Sequence, residues 1–514
     1  MSLPVNRPST LGRSLYCMSV AVLIFYMNFQ GGAERSAVES ATTAITNSTL
    51  AQTQPCPAPA PGSPVAVITS PLIPEDVCIP PNFPQNQNPI QFFDDYSWRA
   101  FVAVVWPAKV GQRGTPDDAK HVGDTSGPLV FETLKQDWEL FQQNGAAPSP
   151  KWADFGKSPC SNVTVGFTDV VLASFSKFGN LGEAGFGNLV HALPAQNGTW
   201  VRYATAFNDV EFSQIVSDKL YLRSNLPSAG LTFSNGSLDI KSAWIEMTNV
   251  PHPERYYTRK AWIKNPVSGN CSLTPVTVGL VGIHIVQKTP SRPQWIWSTF
   301  EHVDNVPPPD PGAPVPPFTF NNGNGTPMPA TDPNGGFPPK DWGNPSLYNV
   351  QRSIDINSQT RNTNAAYRKK LLGTVWQNYQ LVMTQWPLVP NSPATPATPQ
   401  NTFPGAGATS AFTNTTLETW DQKNIATGCM NCHNLTKKNT DFLWALQINA
   451  FPSTLGPNVF SLVAPGKKSA TPEPLPGPLR GLRSLLQTAE TTNKQRSITH
   501  KKSGSEISDG PEKQ

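Results

Sequence analysis

Cysteine and histidine are both scarce in this chain, seven of each in 514 residues. Charged residues make up only 14 %, and the formal net charge is +4. No basic face stands out, which argues against a nucleic-acid partner. After the first 33 residues no apolar stretch approaches the roughly 20 needed to cross a bilayer, so no membrane span is expected in the mature chain. A second C-x-x-C pair or an H-x3-H pair is also missing, which excludes a tetrahedral zinc site of the usual spacing. What cysteine there is falls in a telling place.

Cys429-Met430-Asn431-Cys432-His433 reads C-x-x-C-H, the attachment signature of a c-type haem. The two thiols at this spacing reach one porphyrin edge and add across its vinyl groups. The adjacent imidazole then falls beneath the iron as proximal ligand. At these residue frequencies chance produces the pattern in about one chain in a thousand. The bland alternatives are a redox dithiol or part of a metal site. A dithiol of the thioredoxin kind sits between a strand and a helix, whereas here a polar helix precedes the pair. The expected cofactor is one covalent haem c, held by Cys429 and Cys432 and ligated by His433.

The N-terminus agrees with that chemistry. Arg7 and Arg13 precede a mostly apolar run over 15–29, followed by Gly31, Gly32 and Ala33. This is the layout of a secretory signal peptide over 1–33, with an uncleaved anchor as the alternative. The expected location is periplasmic or otherwise extracytoplasmic, where c-type haem is attached in bacteria. Cys17 lies inside the apolar run. Setting it and the haem cysteines aside leaves Cys56, Cys78, Cys160 and Cys271, an even number in an oxidising compartment. Two disulfides are expected, and three pairings are open.

Proline is abundant, 54 residues, and marks a loop-rich chain. Residues 34–75 read as a Pro/Ala/Thr-rich linker, and 466–514 as a disordered polar tail with a helical patch over 479–486. Between them, 76–465 is expected to form one haem-binding domain, its haem segment about 363–452. Aromatic and aliphatic residues at helical spacing predict helices over 94–106 and 129–142. Short β-branched and aromatic runs predict strands over 162–172, 199–207, 238–247, 256–263, 276–287 and 294–300. Residues 304–347 form a long Pro/Asn/Gly excursion. A helix over 363–376, a strand over 379–386, a capping box at Thr415-x-x-Glu418 and a short helix over 441–448 follow. The fold class is α+β: a mainly antiparallel sheet core with packed helices, loop-rich, and a C-terminal helical haem segment docked on the main body.

An ordinary small cytochrome c places C-x-x-C-H near its start and supplies a distal ligand downstream. Here about 30 ordered residues are expected after His433, with neither Met nor His among them. A sixth ligand must therefore come from upstream, or the iron keeps an open position. The candidates rank His302, then Met383, then His284, each weighed against an ordinary core role. Gly282, two residues from His284 on the same strand face, would leave room for a flat ring. An even turn over 288–293 puts His284 on the side of Trp297 and His302 on the other; a one-residue slip would unite them.

The stretches SWRAFVA at 97–103, WP at 106–107, WIWSTFEHVDN at 295–305, QWP at 385–387, LET at 417–419, GCMNCH at 428–433 and DFL at 441–443 carry a resemblance. On them the chain is similar to bacterial exported monohaem "cytochrome c family" proteins of about this length, over roughly 80–452. The resemblance implies one haem c in the periplasm and transfers neither a distal ligand nor a reaction. The expected function is electron transfer with a redox partner protein. The alternatives are a haem enzyme, peroxidase-like or a substrate dehydrogenase with haem as electron acceptor, using Glu301, His302 or Asp304 to move protons, or a haem-based sensor. No catalytic constellation is recognisable.

Overall fold

Tyr96, Ala100, Phe101 and Val104 recur at helical spacing, and the helix they predict is α1 (Ile90–Val104), buried along its whole length except at Gln91. Pro107 ends it, because the residue before a proline is driven out of helical conformation. In this computed structural model the described residues lie within 53–452, apart from 55, 57–66, 85–86, 143, 174–191, 266–267, 269, 309–316, 325, 330–331, 335–340, 387–412, 423–428, 430–432, 434–435 and 437. The signal segment, most of the linker, the tail and Cys432 fall outside them.

The other helices are α2 (Asp137–Leu140), α3 (Asp209–Ser217), α4 (Ser358–Lys370) and α5 (Trp444–Asn449). The strands are β1 (Thr53–Gln54), β2 (Ile73–Pro74), β3 (Lys135–Gln136), β4 (Val170–Leu172), β5 (Arg202–Phe207), β6 (Leu238–Glu246), β7 (Thr258–Ile263), β8 (Val276–Thr289), β9 (Arg292–His302) and β10 (Tyr379–Gln385). Strands β10-β9-β8-β6-β5-β3 form one antiparallel path; β7 also pairs with β8 and carries β4 in parallel. The fold is therefore α+β with a mainly antiparallel core.

Strands β8 and β9 form the spine, and both of their faces are covered. Their middles, Val276–Val286 and Trp295–Phe300, are accordingly rich in β-branched and aromatic residues. On one face α1 packs: Ser97 Oγ lies 2.7 Å from Ser298 Oγ, and the rings of Trp98 and Phe300 are 5.1 Å apart. Tyr367 of α4 stacks on Trp98 at 5.1 Å, joining the same core. Pairing of Val286 with Trp297, His284 with Thr299 and Gly282 with Glu301 defines the opposite face. Residues of the 413–452 segment pack there: Asn414 bonds Thr299, and Phe442, Leu443 and Leu446 join Trp295 and Trp297 in one apolar cluster.

Several expectations need correcting. Residues 129–142 are not one helix but a 3₁₀ turn (Val130–Thr133), β3 and the single turn α2. Two glutamates divide the segment, each closing a separate turn: Glu132 accepts from Leu129 N and Glu139 from Gln136 N. Of 162–172 only Val170–Leu172 is strand. Helix α4 starts five residues before the expected 363 because Asn357 caps it, accepting from Gln359 N. Helix α3 was not expected at all. The capping box at Thr415 is displaced: Glu418 accepts from Asn414 N, and the Thr415 hydroxyl donates to buried Glu301. Residues 441–442 have left-handed backbone, so the last helix begins at Trp444.

Two disulfides resolve the open pairing as Cys56–Cys78 and Cys160–Cys271. The first bridge, with the β1–β2 pair, shows ordered chain reaching back into the expected linker. Among the described residues no helix is long and apolar enough to cross a membrane.

Candidate functional site

A short contact fixes one side of the His433 ring. Its Nδ1 lies 2.7 Å from the carbonyl oxygen of Phe442. A carbonyl can only accept, so Nδ1 carries the hydrogen and donates it, and Nε2 keeps the lone pair. This is the tautomer and orientation that an imidazole needs to ligate iron through Nε2.

The local backbone makes that contact by adopting a costly shape. Asp441 and Phe442 have φ of 47° and 70°, left-handed values that side-chain-bearing residues rarely hold. Three hydrogen bonds on Asp441 offset the cost: its carboxylate accepts from Phe233 N at 2.8 Å and Lys288 Nζ at 2.6 Å, and its carbonyl from Trp295 Nε1 at 3.1 Å. On the other side of His433, the Thr436 hydroxyl donates to its carbonyl at 2.9 Å.

Cys429 lies four residues before His433, both on helical backbone, and it packs against the cluster of Trp295, Trp297, Phe442 and Leu446. Trp297 closes the site from the sheet, its ring centroid 4.2 Å from that of His433.

The three distal candidates separate by face. His302 belongs to the opposite side with Phe300 and is fully buried. Its Nδ1 accepts from Asp304 N at 3.1 Å, so Nε2 carries the hydrogen and donates to Arg255 O at 3.1 Å. The ring stacks on Tyr256 at 3.9 Å and meets Tyr379 edge-on at 5.0 Å. Burial pushes its pKa down to about 4, so it is neutral at ordinary pH. With both ring nitrogens engaged it offers iron no lone pair. The first-ranked candidate is a structural histidine and falls behind Met383 and His284.

Met383 and His284 both register with Thr299, from β10 and β8, and form a row on the face that carries Trp297. Met383 is buried, and Gln385 Nε2 lies 3.4 Å from its sulfur. His284 Nε2 is enclosed 3.3 Å from Glu418 Oε1 without an aligned hydrogen bond. The space expected above Gly282 is taken: a Cβ there would meet Thr416 Oγ1 at 2.3 Å. The turn from Thr413 to Leu417 fills it, so no flat ring lies over that glycine.

Glu301, a proton-moving candidate from the sequence, lies beneath this turn and is engaged in holding it. It pairs with Arg352, and its other oxygen accepts from Thr415 N at 3.1 Å. Asn-x-x-Glu at Asn208 and Glu211 is a capping signature that could have revealed α3. No known family model, curated protein or solved structure matches this chain.

Proposed function

We propose that this chain is an exported c-type cytochrome that holds one covalent haem through Cys429, Cys432 and His433 and exchanges single electrons with a redox partner protein. The observation that carries the reading is the Nδ1 contact of His433 with Phe442 O, which leaves Nε2 as the basic nitrogen of a residue already in C-x-x-C-H sequence. Haem, when bound, supplies one-electron iron chemistry. The chain's own residues orient the imidazole, and Trp295, Trp297, Phe442 and Leu446 exclude water from its surroundings. Two disulfides support an oxidising compartment, in keeping with export. The resemblance to exported cytochrome c family proteins points the same way.

A second reading has one specific observation in its favour. His284 and Glu418 bring an imidazole and a carboxylate together on the same sheet face, a pair suited to moving a proton in a haem enzyme.

One purified sample tests both. A haem-stained band in a denaturing gel is expected, and its loss in Cys432→Ala. A ferric spectrum that is low-spin and ignores cyanide and carbon monoxide supports electron transfer. A high-spin spectrum that responds to them favours the enzyme. A colourless mature protein sinks both readings.

A further inference from the structure

Helix α3 is locked to the start of β6 at its first turn. Asn208 Oδ1 accepts from Glu211 N and from Leu238 N, both at 3.1 Å, and Asn208 N donates to Leu238 O at 3.0 Å. This lock buries the Glu211 side chain completely and brings it within electrostatic reach of Asp239. Among the described residues neither carboxyl oxygen of Glu211 has a hydrogen-bond partner, and Oδ1 of Asp239 is enclosed without one. Leaving such groups ionised in the interior would cost several kcal/mol each, so something positive must neutralise them.

The surrounding charges do not suffice. Lys288 faces Glu211 but is bonded to Asp441 at 2.6 Å, and Asp441 adds a further negative charge. Lys241 favours ionised Asp239, while Asp137 of α2 opposes it. Asp209, on α3 itself, adds another acid, and Lys135 of β3 sits over the Phe212 ring at 5.1 Å. Burial, then the charge of Asp239, holds Glu211 well above the usual carboxylate range; burial, with repulsion from Asp137, pushes Asp239 up to about 7. A metal ion is a poor alternative: among the described residues no three His, Cys, Asp or Glu side chains converge to hold one. The counter-charge that remains is a proton.

The pair is also close to the candidate redox site. Asp239 registers with Val286, and Val286 with Trp297, whose ring lies against His433. From the other side, Asp441 faces Glu211 and immediately precedes Phe442, whose carbonyl holds His433. Two strand spacings put Asp239 roughly 10 Å from Trp297. An iron bound by His433 would lie beyond the Trp297 ring, roughly 15 Å away; at that range, with an effective dielectric of about 20, one added negative charge raises proton affinity roughly fivefold.

We propose that fully buried Glu211 and half-buried Asp239 form a proton-loading site that takes up a proton when the iron ligated by His433 gains an electron. This rests on the haem reading above. The balance is one electron from a single-electron donor protein and one proton from solvent, which forms an O–H bond on the carboxyl pair. Both leave on reoxidation. The two acids titrate as a unit, so the proton belongs to the pair. Transfer of charge through this protein is thereby coupled to pH.

The test is the midpoint potential of the haem-bearing full chain, measured by redox titration from pH 5.5 to 8.5. The expected result is a potential that falls as pH rises around 7, and a flat profile in Glu211→Gln with Asp239→Asn. The single Asp239→Asn variant should lose most of the slope. A flat wild-type profile overturns the proposal, as does a slope that survives in the double variant. Should the variants fail to fold, infrared difference spectra of the wild-type protein decide. A protonated-carboxyl band that appears on reduction and shifts in D2O supports the site, and its absence overturns it. A haem-stained gel is run first: a colourless protein removes the haem reading and this one together, whereas a coloured protein with a pH-independent potential removes this one alone.

Discussion

Trp297 lies against His433 with ring centroids 4.2 Å apart and planes inclined by 51°, a contact between β9 and a residue more than 130 positions later. The tryptophan is almost wholly buried and also touches the Phe442–Leu446 cluster. Trp297→Ala should cost about 3–5 kcal/mol through the cavity it leaves. On the haem reading it should also lower the fraction of chain carrying covalent haem, because the Trp297 ring closes the imidazole's flank from the sheet. Trp297→Phe should restore most of the stability. Urea unfolding followed by fluorescence, with a haem-stained gel alongside, measures both effects.

The faces of β8 and β9 predict which substitutions reach the iron. His302→Ala should leave the ferric spectrum unchanged while destabilising the fold, since that ring is stacked on Tyr256 and bonded at both nitrogens on the far side of the sheet. His284→Ala or Met383→Ala should change the spin state if either supplies the sixth ligand, because both flank Thr299 on the near side. Electronic absorption spectra of the three variants at one pH are sufficient. A spin-state change in His302→Ala alone would contradict this assignment of faces.

Periodicity carried most of the sheet. The strands β6 to β10 are continuous β-branched and aromatic runs, and burial on both faces rewards that composition wherever it occurs. Helix α1 was equally legible because its aromatics recur at helical spacing up to a proline. The site was legible only in part. C-x-x-C-H names its own chemistry, but which strand face meets it depends on the β8–β9 register, which one residue of slippage would invert. The ranking of His302 failed there: sequence placed it in a suggestive WSTFEHVDN stretch but could not show the carbonyl and amide that engage its ring. Residues 129–142 failed differently, since a helix and two capped turns share the same apolar spacing. Glu211 and Asp239 left no signal, because a buried acid reads like any surface acid until its surroundings are known.

The two disulfides should differ in worth. Cys160–Cys271 closes a loop of 111 residues, and Cys56–Cys78 one of 22. On the chain-entropy account, opening the longer loop costs about 4.8 kcal/mol and the shorter about 3.4 kcal/mol. Cys271→Ala paired with Cys160→Ala should therefore lower the unfolding midpoint more than Cys56→Ala paired with Cys78→Ala. Each double variant avoids leaving an unpaired thiol. Thermal unfolding at one scan rate compares them, and an equal or reversed order would show that local packing outweighs loop closure.

Asp94 gives the clearest pH signature outside the site. It is fully buried in α1, accepts from Thr360 Oγ1 at 2.7 Å and Thr384 Oγ1 at 2.9 Å, and burial pushes its pKa up to about 7. An acid whose folded pKa lies above its unfolded value near 3.8 holds its proton more tightly in the folded state. Its contribution is thus complete below pH 3.8 and is lost as pH rises through about 7. His302, depressed from 6.5 to about 4, acts oppositely: its contribution is complete above 6.5 and is lost as pH falls towards 4. The two slopes oppose each other in the wild-type protein, so the total stability hides both. Asp94→Asn removes only the first; its single amide oxygen keeps an acceptor for one of the two threonine hydroxyls, which bond different oxygens of Asp94, and the loss of the other adds a pH-independent cost. Relative to wild type, its stability should improve steadily from pH 4 to pH 8. Urea midpoints of both proteins across that range measure the difference directly, and a difference that does not change with pH would mean that Asp94 stays ionised in the folded core.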